Sequence, residues 1–121
     1  MMSQLIIADD SAVIRKVGKR ILSDMGFCVR DASGPGEALQ LCKIQLPETL
    51  IVDESMEGAL ELIAAVRELR GGEAVRIVFC ILEADLKRIM QGKRAGADEY
   101  FLKPFNRASL QRVFAGCAEA A

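Results

Sequence analysis

Five times along this chain a short apolar run is followed by a longer stretch whose apolar residues recur at helical spacing, and that alternation leaves few folds open. The runs are Leu5–Ala8, Phe27–Ala32, Thr49–Val52, Arg76–Leu82 and Glu99–Leu102. Most are continuously apolar rather than alternating, as in strands covered on both faces. After the first run, Ser11 is placed to cap a helix with Ile14, Val17, Ile21 and Met25 on one face, and Gly26 ends it. Glu37–Lys43 reads as a short helix with Ala38, Leu39 and Cys42 inward. Leu60–Arg70 has Leu62, Val66 and Leu69 in register, and Asp85–Lys93 has Leu86, Ile89 and Met90. Ala108–Cys117 puts Leu110, Val113, Phe114 and Cys117 on one side. Turn residues separate the units: Ser33-Gly34-Pro35-Gly36, Pro47 and Gly71-Gly72. The expectation is an α/β domain, a five-stranded parallel sheet flanked by five helices, with right-handed crossovers.

At 121 residues the chain is sized for one domain, 1–121. Hydrophobic residues make up 51% of it and Trp is absent, so an aliphatic core is expected. Sixteen basic against seventeen acidic side chains give no global field toward nucleic acid or a membrane surface. No segment resembles a targeting signal, and none approaches the roughly 20 apolar residues of a membrane span, so no membrane insertion is expected. The cysteines at 28, 42, 80 and 117 are scattered without a C-x-x-C pair, which argues against a zinc or redox motif and for a reducing cytoplasm. Histidine is absent, removing imidazole base catalysis and His-ligated metals.

The chemistry therefore falls to carboxylates and lysine. Asp9 and Asp10 follow the first strand, Asp53 the third and Lys103 the fifth. In a parallel sheet these positions share the carboxyl edge, where ligands bind near the reversal of strand order. Carboxylates gathered there repel one another unless a hard divalent cation joins them, and Mg²⁺ takes a few carboxylates together with water and phosphate oxygens. A lysine ammonium supplies a point charge for a phosphate oxygen. Such a pocket suits phosphoryl transfer, with Asp53 as nucleophile and Asp9 and Asp10 as metal ligands. Any one of these residues alone reads more simply as a turn former or cap.

Asp9-Asp10-Ser11, Asp53 at a strand end, Ala95-Gly96-Ala97-Asp98-Glu99-Tyr100 and Lys103-Pro104-Phe105 together resemble the receiver domains of two-component response regulators. The likeness covers nearly the whole chain and is similar in layout to single-domain chemotaxis regulators. It implies a flavodoxin-like, doubly wound sheet of order 2-1-3-4-5 and phosphorylation of Asp53 by a sensor histidine kinase or phosphotransfer protein. It implies Mg²⁺ held by Asp10, Asp53 and the backbone carbonyl of Ser55, with Asp9 in support. Lys103 would contact the phosphoryl group, and the Lys103–Pro104 bond would be cis. No DNA-binding domain is expected in the chain, so output would pass to an unknown downstream protein, and the domain would assist only its own phosphorylation and hydrolysis.

Two departures stand out. The resemblance calls for Ser or Thr at the end of strand four, where this chain has Ile81, followed by Leu82 in place of a small residue that keeps the pocket open. No Ser or Thr occurs from Met56 to Ala108, which leaves Ser55 as the candidate substitute hydroxyl. The loop after Asp53 lacks its usual proline and is short, and Glu54 and Glu57 add charge beside the metal shell. Tyr100 matches an aromatic switch position whose hydroxyl partner is missing. Lys87, Arg88, Lys93, Arg94, Arg107 and Arg112 tilt the output face basic, suiting an acidic partner or an anionic ligand such as a cyclic dinucleotide. Two other readings compete: a degenerate receiver acting as a phosphorylation-independent adaptor or ligand-binding module, and a flavin-type cofactor binder, which the lack of a Gly-rich or hydroxyl-rich phosphate loop disfavours.

Overall fold

The computed structural model describes residues 3–120, with side chains through Phe114. Five strands alternate with five helices: β1 (Gln4–Ala8), α1 (Ala12–Asp24), β2 (Cys28–Ala32), α2 (Pro35–Ile44), β3 (Thr49–Asp53), α3 (Ala59–Glu68), β4 (Arg76–Ile81), α4 (Leu86–Ala95), β5 (Glu99–Leu102) and α5 (Arg107–Ala120). All strand pairs are parallel, in the order β2-β1-β3-β4-β5. The direction of winding reverses between β1 and β3, which opens a crevice at their carboxyl ends.

Alternation along the strands sorts the core into two layers. Ile6, Leu50, Val52, Ile77, Phe79 and Ile81 face Ala38 and Cys42 of α2 and Leu62, Ile63 and Val66 of α3. Leu5, Ile7, Ile51, Val78, Cys80 and Phe101 face Leu22 of α1 and Leu110 and Phe114 of α5. The core is chiefly aliphatic, yet all five phenylalanines are buried in it. Phe27 and Phe114 meet edge to face at 5.6 Å, tying α5 to the approach of β2.

Spacing gives most of the face of α1, where Ile14, Ile21 and Met25 pack against the core as expected, and misses most of that of α4. In α1 the buried residues are Gly18 and Leu22, whereas Val17 is exposed. A Cβ on Gly18 would lie 2.7 Å from Ile7 Cδ1, so the helix lies on the sheet through the gap that this glycine leaves. In α4 Leu86 and Met90 are exposed rather than inward. This helix rests on Phe79 through Gly92, where a Cβ would come within 2.5 Å of the ring, with Ile89 packed beside it. Apolar periodicity cannot register a contact made by a missing side chain. Cys117 lies outside the described side chains. Smaller differences concern element ends: β4 stops at Ile81, β2 starts after Phe27, and α2 begins at Pro35, whose fixed φ suits a first helical position.

The Ala95–Tyr100 segment has a structural role. Asp98 accepts from the Ile77 amide and from Arg67, each at 2.8 Å. Arg67 also donates to the carbonyls of Gly72, Val75 and Gly96, stitching the end of α3 to the start of β5. At the same end of β4 and β5 Arg76 forms a two-pronged pair with Glu99 and lies over the Phe114 ring.

Candidate functional site

Asp9, Asp10 and Asp53 meet at the crevice between β1 and β3. Each offers a carboxylate oxygen within 4.8 Å of the others. Asp9 and Asp53 are 1% and 4% exposed, and Asp10 faces solvent. Asp9 is fixed by the chain that follows it. Its Oδ1 accepts from the Ser11 amide at 2.9 Å, and the Ser11 hydroxyl in turn accepts from the Ile14 amide as the cap of α1. Arg15 reaches back to the Asp9 carbonyl at 2.8 Å.

Lys103 comes from the opposite end of the chain. Its amide donates to the Ile81 carbonyl at 2.9 Å, carrying the β4–β5 pairing one residue beyond β5. The Lys103–Pro104 peptide is cis, as the resemblance implies. Lys103 Nζ lies 2.9 Å from both Asp9 Oδ2 and Asp53 Oδ1. Burial opposes the ammonium, but the hydrogen bonds and charges of the two carboxylates more than offset it, so the lysine is held above its ordinary pKa. One ammonium thus faces three carboxylates, and the surplus negative charge suits a divalent cation. The donor set is all oxygen, one member is open to water, and the spacing is close, which is the chemistry a hard ion such as Mg²⁺ requires.

The turn after β3 supplies the other donors. Ser55 Oγ donates to Asp53 Oδ2 at 2.7 Å, and the Ser55 amide lies 3.4 Å from Oδ1. Glu57 is exposed and outside the acidic cluster, as a solvated side chain would be, whereas Glu54 pairs with Arg88 of α4 at 3.3 Å. Gly58 takes a left-handed conformation to start α3 against Pro35, which gives the short loop its exit.

Beyond the pocket the β4 side differs. Ile81 is 1% exposed and lies in the core, whereas Leu82, expected to crowd the pocket, is 72% exposed. Tyr100 is about half exposed on β5. Arg88 and Arg107 of the basic face are engaged by Glu54 and Asp24. The contacts made by Arg67, Arg88 and the Ser55 hydroxyl depend on residues distant in sequence or on rotamers, so spacing alone gave little sign of them.

Comparison with known proteins agrees with this geometry. Residues 5–115 match the response regulator receiver domain family. The chain belongs to that family. The receiver is 33% identical over 108 residues to the probable transcriptional regulator ycf27 of Guillardia theta, covering 89% of this chain and 42% of that protein. It is 31% identical over 106 residues to response regulator MprA of Mycobacterium tuberculosis, covering 87% and 46%. It therefore spans less than half the length of these relatives. In structure the receiver is similar to chemotaxis response regulator CheY4 of Vibrio cholerae, with a TM-score of 0.90, 27% identity, and coverage of 96% and 98%. It also shares its fold with the receiver domain of sensor histidine kinase PA1611 from Pseudomonas aeruginosa, with a TM-score of 0.85, 21% identity, and coverage of 98% and 99%. That receiver was solved with a magnesium ion coordinated in the active site cleft. Among the described residues no helix is long and apolar enough to cross a membrane.

Proposed function

We propose that this receiver accepts a phosphoryl group on Asp53 from a sensor histidine kinase or phosphotransfer protein and signals through protein–protein contact. The observation that carries this reading is the position of Asp53: buried at the end of the central strand, with Asp9, Asp10 and the Lys103 ammonium converging on it. A carboxylate oxygen of Asp53 attacks phosphorus, an O–P bond forms, and the donor's P–N bond breaks. The leaving imidazole keeps the electron pair and takes a proton from solvent. The chain needs no general base, since the nucleophile is already a carboxylate. Lys103 offsets charge on the transferring group, and Asp9 holds Lys103 in place. Asp10, Asp53 and the Ser55 carbonyl would hold Mg²⁺, with Asp9 in support, and the ion's chemistry when bound is neutralisation of phosphoryl oxygens. On this reading the receiver assists its own phosphorylation and dephosphorylation.

Incubation with phosphoramidate and Mg²⁺ followed by intact mass tests the reading. A single phosphate adduct is expected, and it disappears in Asp53→Asn or without the metal. Ile81 supports a second reading, a phosphorylation-independent adaptor, because a buried aliphatic side chain stands where a hydroxyl would relay the event. No adduct, even with a cognate kinase, would select that reading.

A further inference from the structure

A phosphoryl group on Asp53 brings up to two negative charges and three acceptor oxygens into a pocket whose donors are few. Lys103 provides one. The end of β4 provides no side-chain donor, because Ile81 is packed into the core and no Ser or Thr lies between Met56 and Ala108. The other hydroxyl beside the carboxylates, that of Ser11, accepts from the Ile14 amide to cap α1. The Ser55 hydroxyl, by contrast, already points at the reacting carboxylate, donating to Asp53 Oδ2 at 2.7 Å from an exposed turn.

We infer that Ser55 donates the hydroxyl hydrogen bond to the phosphoryl group on Asp53, doing from the β3–α3 turn what no side chain at the end of β4 can do. The inference rests on the phosphoacceptor reading of Asp53. A phosphoryl group on either carboxylate oxygen places its own oxygens two bonds farther out. Rotation about the Ser55 Cα–Cβ bond lets Oγ exchange the carboxylate for one of them without moving the backbone. The carbonyl proposed for the metal and the hydroxyl proposed for the phosphoryl group belong to the same residue, and substitution of the side chain separates the two roles.

The probe is beryllofluoride, a phosphoryl mimic, titrated with Mg²⁺ and read by ¹⁹F NMR of the bound species. Loss of one hydrogen bond to a charged group corresponds to roughly a tenfold or greater loss of affinity. Ser55→Ala is expected to weaken beryllofluoride binding by about that factor, while leaving the affinity for Mg²⁺ alone and the thermal midpoint near wild type. Ser55→Thr restores most of the binding. Wild-type beryllofluoride affinity in Ser55→Ala would overturn the inference, as would a parallel loss of Mg²⁺ affinity, which would show a purely structural role. Failure of the wild-type chain to bind beryllofluoride, with Mg²⁺ still bound, would instead sink the phosphoacceptor reading and this inference with it.

Discussion

The carboxyl ends of β1 and β3 and the carboxyl end of β4 with α4 lie side by side but are built differently. At β1 and β3, buried charged side chains are fixed by backbone amides, a helix cap and a lysine from a third strand. At β4 the chain passes from a buried Ile81 to an exposed Leu82, and the helix that follows touches the sheet through Ile89 and the gap at Gly92. Its link to the pocket is the half-exposed Arg88 and the more buried Glu54. The pocket is therefore specified by polar contacts, and α4 is seated mainly by shape.

The largest expected effect tests the polar side. Lys103→Ala leaves two nearly buried carboxylates without their cation, and breaking such a pair costs about 3–5 kcal/mol. Urea unfolding in metal-free buffer should show a loss of that order, and Mg²⁺ should restore part of it. A loss below about 1 kcal/mol would mean that water already reaches Asp9 and Asp53 freely.

Gly92→Ala comes next. The added methyl meets Phe79, and overpacking of this kind costs about 1–3 kcal/mol in urea unfolding. Phosphate uptake should stay within a few-fold of wild type if α4 is as separate from the pocket as its contacts indicate. Comparable losses in uptake and stability would erase the contrast between the two regions.

A third test uses pH. Cys80 of β4 is fully buried, and burial pushes its thiol well above the ordinary value. The folded chain keeps this proton where the unfolded chain releases it, so stability falls as pH rises past the ordinary thiol pKa. Between pH 9 and 10 the loss from this one group is about 1 kcal/mol. Comparing the pH slopes of wild type and Cys80→Val isolates it, and equal slopes would show that solvent enters beneath β4.

The smallest effects are expected at the surface of α4. Arg88→Ala removes a partly exposed ion pair worth at most about 1 kcal/mol, and Leu86→Ser should change stability by no more than about 0.5 kcal/mol. Thermal midpoints check both. A drop of several degrees for Leu86→Ser would restore the inward face that its helical spacing suggests.

The fold was legible in the sequence because continuous apolar strands dominate its middle, and the strand-end positions of Asp9, Asp10, Asp53 and Lys103 followed from that. The inward set Ile14, Ile21 and Met25 of α1 was legible, but the face of α4 and the close approach of α1 at Gly18 were not, since Gly18 and Gly92 make their contacts by lacking side chains. Nor was the engagement of Glu54 by Arg88, which depends on where α4 settles relative to the turn after β3. Ile81 was legible as a departure from the family pattern, and the structure adds that its side chain is packed into the core.

The reach of Lys103 has one more consequence. It joins residues 94 and 50 positions earlier in the chain, from the last strand to the first and the third. Contacts of such sequence separation form only once distant parts of the chain have been brought together. A copy in which β5 has not docked would lack the ammonium at its pocket, so the proposed phosphate uptake would also report that the first, third and last strands are assembled.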